Sequence, residues 1–240
     1  MAKESRHHIE QQDVIFFENF LDEQSVRRNG GNSNAGTIPV EFFNGIATFD
    51  NSAAGLDNEI EYPRSKLRLC EPERAFSIRT RAYLTDTDAS VFLQQYISGA
   101  NLSKEFRFMI GGAWPAVGMN DKFVLELWDN SNDSATEEAR GRMYDQVLTT
   151  IALNKWTEFV ATYDGRAGAT PEAGICLYMD GVRVDDADIS YSPGAGAYSS
   201  MKYHSDITTV VGANVTGSMD FVEVWNRVLT PEECANLANV

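Results

Sequence analysis

The chain has 240 residues, with 20 basic and 35 acidic side chains and a formal net charge of −15 at pH 7. This balance disfavours a nucleic-acid partner, because phosphate binding needs clustered Lys and Arg. The sequence contains no apolar stretch long enough to span a bilayer, so we expect no membrane insertion.

Residues 1–13 are polar and without hydrophobic periodicity, and they contain no apolar signal core. We interpret them as an N-terminal arm and expect no signal peptide. Residues 14–240 show no linker and no internal repeat, which predicts one domain. Cys70, Cys176 and Cys234 form an odd count without metal-type spacing. They are interpreted as free thiols of a protein made in a reducing cytoplasm.

An apolar run that begins at Val14 predicts the first strand. Alternate residues of a strand share a face, so Val14, Phe16 and Phe20 are expected to face the core. Ile15 and Phe17 then lie on the other face. Exposed apolar clusters usually mark an interface, so Ile15 and Phe17 are predicted to contact another subunit.

The next 15 residues, 22–36, are rich in Gly and Asn and predict a loop. A second strand is predicted at 40–49 and a short third one near Tyr62. Alternating apolar residues then predict strands at 76–84, 90–97, 105–110, 122–128, 155–163, 174–179 and 210–213. Asp180-Gly181 is a tight-turn signal. About a dozen short strands and almost no helix predict an all-β sandwich.

The stretch from Gly217 to Leu237 predicts a strand, a bend and a short helix. Strand parity places Asp220 on the same face as two valines, so its carboxylate is expected to be half-buried and to need a partner. Thr230 is a candidate N-cap, and Glu233 completes a capping box with it.

This closing stretch resembles the last strand and closing helix of laminin-G-like, concanavalin A-like jelly rolls. Gly45–Asp50 and Asn58–Pro63 are similar to early strands of such domains. Lys155–Gly165 and the strand ending in Asp180-Gly181 resemble a later hairpin. The resemblance covers roughly residues 40–238. It implies an all-β, two-sheet antiparallel jelly-roll sandwich with one short C-terminal helix.

The resemblance also implies a structural calcium ion. In this family the acid on the closing strand often lies beside a calcium held by loop carbonyls near the N-terminus. Asp220 matches that acid, and Glu18 and Gly45 are the candidates for the other contributions. The alternative is that Asp220 accepts backbone hydrogen bonds or pairs with an arginine.

Sugar binding needs aromatic rings beside polar groups on a rim. Five aromatic residues lie in or next to predicted loops: Trp114, Trp128, Tyr191, Tyr198 and Tyr203. The predicted carbohydrate-binding set is Trp128, Asn130, Asn132, Asp133 and Tyr198. Packing is the alternative role for isolated aromatic residues.

Catalysis is not expected. Retaining glycosidases of this fold need two carboxylates facing one cleft about 5 Å apart. Glu126 and Asp129 are three residues apart on a strand and point to opposite faces. Glu59 and Glu61 share a face, but a third acid is absent and Pro63 ends the strand.

These features favour a non-enzymatic structural, decoration or fibre subunit of a virus-like particle, a bacteriophage above all. Such a subunit would lie on the virion surface, contact other subunits, self-associate and touch cell-surface glycan in a secondary role. The alternative is a stand-alone, lectin-like carbohydrate-binding module.

Overall fold

Alternating apolar residues form strands along most of the chain, as a computed structural model shows. It describes residues 13–36, 38–51, 58–69, 74–87, 89–97, 103–111, 121–128, 139–143, 151–166, 171–191, 200–201 and 203–238. The first eight strands are β1 (Val14–Glu18), β2 (Glu41–Phe43), β3 (Ile46–Asp50), β4 (Ile60–Tyr62), β5 (Phe76–Leu84), β6 (Val91–Ile97), β7 (Ser103–Ile110) and β8 (Phe123–Trp128). The others are β9 (Ala139–Met143), β10 (Trp156–Tyr163), β11 (Ile175–Met179), β12 (Val182–Arg183), β13 (Ala187–Tyr191), β14 (Thr209–Val211) and β15 (Thr216–Trp225). Two helices, α1 (Glu23–Arg28) and α2 (Pro231–Leu237), and two 3₁₀ turns, Arg64–Lys66 and Pro171–Gly174, complete the described elements.

The strands form two antiparallel sheets packed face to face. The eight-stranded sheet has the order β12-β11-β10-β5-β15-β3-β2, with β1 also paired to β15. The seven-stranded sheet has the order β13-β9-β8-β7-β6-β14-β4. Side chains from both inner faces fill the core, among them Phe49, Phe76, Phe92, Phe108, Phe123 and Phe159. The predicted all-β sandwich is confirmed.

Strand β15 lies in the middle of the eight-stranded sheet. Its pairing with β5 shifts register between Met219 and Phe221, which makes Asp220 a bulge residue. A bulge inserts one residue and changes the strand's facing. Met219, Val222 and Val224 therefore face the core, whereas Asp220 faces outward. The predicted parity of Asp220 is wrong for this reason.

A second bulge lies in β1, where the register with β15 shifts between Val14 and Phe16. Ile15 is the inserted residue and packs against the main core with Phe16. Val14 instead packs on the outer face, in the cluster that contains Trp225. The expectation that Ile15 lies exposed beside Phe17 is wrong, because the bulge turns Ile15 inward.

The strand predicted at 40–49 is a hairpin of two strands. Asn44 and Gly45 form its turn, with φ of 52° and 74°. Positive φ at both central residues is the requirement of a type I′ turn, which an Asn-Gly pair meets. Gly45 therefore reverses the chain between β2 and β3.

Helix α1 lies within the segment predicted to be a loop. The Asp22 side chain caps it by accepting a 2.6 Å hydrogen bond from the Ser25 backbone N–H. The Ser25 hydroxyl in turn accepts a 3.1 Å bond from the Asp22 backbone N–H. Helix α2 forms as predicted, with Thr230 and Glu233 as a capping box. No helix among the described residues is long and apolar enough to cross a membrane.

Helix α2 packs on the outer face of the eight-stranded sheet. Cys234 and Leu237 lie against Val160, Tyr178 and Trp225 there. Beside this cluster, the buried Arg79 pairs with Glu158 and, at 3.1 Å, with Glu223. Its Nη2 also donates a 3.2 Å hydrogen bond to the Leu237 carbonyl. One guanidinium thus ties β5, β10 and β15 to the end of the helix.

Candidate functional site

One end of the seven-stranded sheet holds Trp128, which was predicted to bind sugar. Tyr96 pairs with Lys104 at the adjoining ends of β6 and β7. Trp128, the last residue of β8, pairs with Ala139, and Ala139 pairs with Tyr191 at the end of β13. We call this edge of the sheet the Trp128 end. Segments 98–102, 129–138 and 192–199 are joined to strands there.

Trp128 itself is buried. Only 4% of the residue is exposed, and its ring centroid lies 5.5 Å from that of Tyr96. The Arg107 guanidinium lies 5.1 Å and the Lys104 amine 5.8 Å from the Trp128 centroid. These cation–π contacts occupy the ring. The prediction of Trp128 as an open platform for sugar is wrong, because its neighbours on the sheet cover it.

Glu126 lies beneath the same rings, fully buried and paired with Arg107. Burial raises the pKa of its carboxyl, and the Arg107 charge opposes that shift. Its Oε2 has no hydrogen bond among the described residues. The cluster therefore holds two cations, two rings and one carboxyl whose pKa is raised by burial.

The other predicted sugar contacts, Asn130, Asn132, Asp133 and Tyr198, lie outside the described residues. Asn130 follows Trp128 by two positions in the chain, and Tyr198 follows the end of β13 by seven. Their carbohydrate role stays a prediction.

A more accessible aromatic side chain at this end is Tyr203. It is 43% exposed, and the Arg64 guanidinium lies 5.2 Å from its ring centroid. Arg64 forms a 3.1 Å ion pair with the buried Glu105 and donates to the His204 carbonyl at 3.3 Å. The His204 N–H donates to Glu105 at 2.8 Å. These bonds hold the Tyr203 backbone and one ring face in place.

Tyr203 is one of the five aromatic residues in or next to predicted loops, and it was not in the predicted carbohydrate-binding set. Its neighbours come from distant parts of the chain: Arg64 follows β4, and Glu105 lies in β7. Strand order joins these parts, since β4, β14, β6 and β7 are successive neighbours in the sheet. A single sequence does not contain that order, so the cluster was not predicted.

Two of the three residues predicted to bind calcium, Glu18 and Asp220, have protein partners in the structure. Glu18 is fully buried and accepts bonds from Tyr62 Oη and Asn29 Nδ2, each at 2.9 Å, and from the Phe20 N–H at 3.1 Å. Asp220 faces outward, with its carboxylate 3.4 Å from Arg81 Nη1. Within the described ranges, no three His, Cys, Asp or Glu side chains cluster as metal ligands. Calcium binding by the domain stays a prediction.

Of the two residues predicted to form an interface, Phe17 is exposed: 39% of it is accessible on the outward face of β1. Residues 1–12 of the predicted arm lie outside the described residues. Asp13 is fixed to the body of the domain: its carboxylate lies 3.0 Å from Arg227 Nε, and its carbonyl accepts a 2.9 Å bond from the Asn226 N–H. The interface role of Ile15 and Phe17 stays a prediction.

A family profile described as the concanavalin A-like lectin/glucanases superfamily matches residues 58–235. Comparison with curated proteins finds no match.

Among solved structures, the chain is similar to the binding domain of Paraclostridial Mosquitocidal Protein 1. The TM-score is 0.60 at 10% identity, covering 95% of this chain and 52% of that one. The receptor-binding domain of botulinum neurotoxin D gives a TM-score of 0.51 at 10% identity, with 87% and 47% covered. Domain 4 of the arabinanase AbnA from Geobacillus stearothermophilus, solved with arabinotriose, gives 0.48 at 13%, with 94% and 98% covered. The chain spans about half the length of the two toxin domains. At these identities the likeness to the two toxin domains shows the fold.

Proposed function

This chain belongs to the concanavalin A-like lectin/glucanase superfamily, and we propose that it is a non-enzymatic domain that binds glycan at its Trp128 end. The observation that carries the proposal is the exposed ring of Tyr203, held by Arg64 on one side. A sugar ring packs its apolar face on an aromatic side chain and hydrogen-bonds to polar groups around it.

The setting of Tyr203 supports binding. Because Arg64 is anchored by Glu105 and by the His204 carbonyl, the ring is ordered before a ligand arrives. A pre-ordered contact surface spends less conformational entropy on binding. The same end joins segments 129–138 and 192–199, which carry the predicted contacts Asn130, Asn132, Asp133 and Tyr198.

The absence of catalysis belongs to the same proposal. Each of the two buried carboxyl groups described at this end faces a guanidinium: Glu105 faces Arg64, and Glu126 faces Arg107. A retaining glycosidase instead needs two carboxyl groups about 5 Å apart with a sugar between them. The arrangement favours a binding role.

A glycan array followed by titration calorimetry on the best ligand tests the proposal. Tyr203→Ala should weaken binding about tenfold or more, as expected for the loss of a central aromatic contact. The matched control is Phe43→Ala, an aromatic residue that is 75% exposed on the other sheet. Binding that is unchanged in Tyr203→Ala, or no ligand on the array, would refute glycan recognition at this end.

We infer, as a second proposal, that the domain serves as a subunit of a larger assembly, a decoration or fibre protein of a bacteriophage-like particle. Support comes from Phe17 and Phe43, which lie exposed on strands β1 and β2, both on the outer face of the eight-stranded sheet. Exposed aromatic residues along one edge of a sheet favour contact with a neighbour.

Analytical ultracentrifugation of the wild type, Phe17→Ser and Phe43→Ser tests this role. Self-association that both substitutions weaken would support it. A deletion of residues 1–12 tests the arm separately and leaves Asp13 on Arg227. A wild-type protein that is monomeric at all concentrations, and that does not bind to candidate particles, would exclude the assembly role.

A further inference from the structure

An exposed cationic surface lies beside Tyr203 on a strongly acidic protein. The 3₁₀ turn after β4 contributes Arg64 and Lys66, and Arg68 follows it; Lys66 and Arg68 are exposed. The whole chain carries −15, so three cations within five residues concentrate positive charge here, although the Glu105 carboxylate offsets the charge of Arg64.

Lys66 lies close to the end of helix α1, near a fourth exposed cation in the sequence. Gly30 lies just beyond the helix, and a Cβ added there would meet Lys66 Cε at 3.0 Å. The Lys66 side chain therefore runs over the turn that follows the exposed Arg28. Neither Arg28 nor Lys66 has an acidic partner among the described residues. We call Arg28, Arg64, Lys66 and Arg68 the cationic surface.

Strand order fixes the position of this surface relative to Trp128. The 3₁₀ turn leaves β4, and three strands, β14, β6 and β7, separate β4 from β8. At about 4.8 Å between neighbouring strands, the cationic surface lies about 19 Å from the end of β8. Arg64 links this surface to β7, because it pairs with Glu105 and lies over the Tyr203 ring. An oligosaccharide that spans the Trp128 end meets the cationic surface at one side.

We propose that the glycan bound at this end is acidic and that Lys66 and Arg68, with Arg28, bind its carboxylate or sulfate groups. The inference rests on the proposed glycan-binding function. An acidic ligand is repelled by the overall charge of the protein, so it is held only where the local potential is positive. Lys and Arg form charge-assisted hydrogen bonds with either anion, and the Tyr203 ring supplies the contact for the sugar itself.

Two pairs of polymers test the proposal. Polygalacturonate is compared with its methyl-esterified form, which removes the carboxylate charge, and dextran sulfate is compared with dextran. Dissociation constants are measured by biolayer interferometry at two salt concentrations. We expect the charged member of one pair to bind more tightly than its neutral partner, and added salt to weaken that binding. The pair that shows the difference identifies the anion.

Variants separate this surface from general electrostatics. The double variant Lys66→Gln/Arg68→Gln should weaken binding to the charged polymer about tenfold and leave binding to the neutral polymer unchanged. The matched control, which also removes two charges, is Lys155→Gln/Arg183→Gln; both cations are exposed on the other sheet and pair with Asp180 and Asp185, each at 2.9 Å. Equal weakening by the control would show that net charge alone drives binding and would overturn the proposal.

The outcomes also separate this inference from the function on which it rests. Charged and neutral polymers that bind equally, both dependent on Tyr203, would overturn the acidic ligand and leave glycan binding intact. Binding of charged polymer that depends on Lys66 and Arg68 but not on Tyr203 would retain an anion surface and refute glycan recognition. Thermal melting of each variant confirms that the fold is unchanged.

Discussion

The carboxylate of Asp220 lies 3.4 Å from Nη1 of Arg81 on the outer face of the eight-stranded sheet. The two side chains meet because the bulge at Asp220 turns it away from Val222 and toward the solvent side. The Arg81 guanidinium also lies 5.4 Å from the Trp156 ring centroid. The acid that resembles a calcium ligand therefore has an arginine partner.

The first prediction concerns this pair. Asp220→Ala should destabilise the domain by about 1 kcal/mol, since the Arg81 side chain is 34% exposed and solvent screens the pair. A double-mutant cycle with Arg81→Ala, measured by urea denaturation, should give a coupling energy of about 0.5 kcal/mol. Chelator is the test for calcium. If the melting temperature of the wild type is the same with and without chelator, the hypothesis that Asp220 binds calcium is contradicted.

The second prediction concerns Arg79. Arg79→Met should cost about 3 kcal/mol, because it leaves the buried Glu158 and Glu223 without their shared cation. Burial raises the pKa of both carboxyls, and the Arg79 charge opposes the shift. Without Arg79 both pKa values rise further. The loss of stability in Arg79→Met should therefore be larger at about pH 8 than at about pH 5. A loss that is independent of pH would contradict the coupling.

The third prediction concerns Glu126. Because burial raises the folded pKa of Glu126 above the ordinary value of a glutamate, its stabilising contribution is complete below that ordinary value and is lost as pH rises through the folded pKa. Glu126→Gln keeps the neutral form. Urea denaturation across this range should show the stability difference moving in favour of the variant as pH rises. A stability difference that does not change with pH would show that folding leaves the pKa of Glu126 unshifted.

The fourth prediction concerns the cap of α2 and has the opposite sign. The bonds from Arg227, above all, lower the pKa of Glu233 to about 2. Its contribution is present above the unfolded value of 4.5 and is lost as pH falls toward 2. Glu233→Gln should therefore cost stability at neutral pH and progressively less in acid. Thr230→Ala, the matched cap variant, should cost about 1 kcal/mol at neutral pH and depend less on pH, because the Thr230 side chain is the smallest of the causes that lower the pKa of Glu233.

The fifth prediction concerns Gly217 in β15. Its φ is +146°, and a Cβ built there would lie 2.1 Å from the Tyr83 carbonyl oxygen of β5. Gly217→Ala must therefore distort the central strand pair, and we expect a loss of at least about 2 kcal/mol. Ser218→Ala, one residue further along the strand, is the control. A Gly217→Ala protein as stable as the wild type would contradict the described backbone.

Strand periodicity predicted the sandwich because alternation is a local property of the chain. The helix cap at Thr230 was predictable for the same reason, since both capping bonds join residues three positions apart. The bulges at Ile15 and Asp220 were not predictable, because an inserted residue is defined only by its partner strand. Each bulge reversed the facing of a residue chosen for a site.

Burial of Trp128 was missed for a similar reason. A tryptophan at a strand end beside a polar segment is typical of a rim, but Tyr96, Lys104 and Arg107 come from two other strands and cover it. Tyr203 was not predicted as a binding residue because Arg64, which packs on its ring, lies 139 positions earlier in the chain. Sheet order brings them together, and a single sequence does not record it.

The pairing of β15 sets the timing of folding during synthesis. Residues 216–225 are paired with β5 along one side and with β3 and then β1 along the other. Strands β1, β3 and β5 leave the ribosome well before β15 does, so until then they lack the neighbour that joins them. Until β15 is available, the edges of β1, β3 and β5 that pair with it stay unpaired in the nascent chain. Unpaired strand edges are open to chaperone binding and to aggregation. Slow codons placed before residue 216 should prolong that exposure and lower the soluble yield.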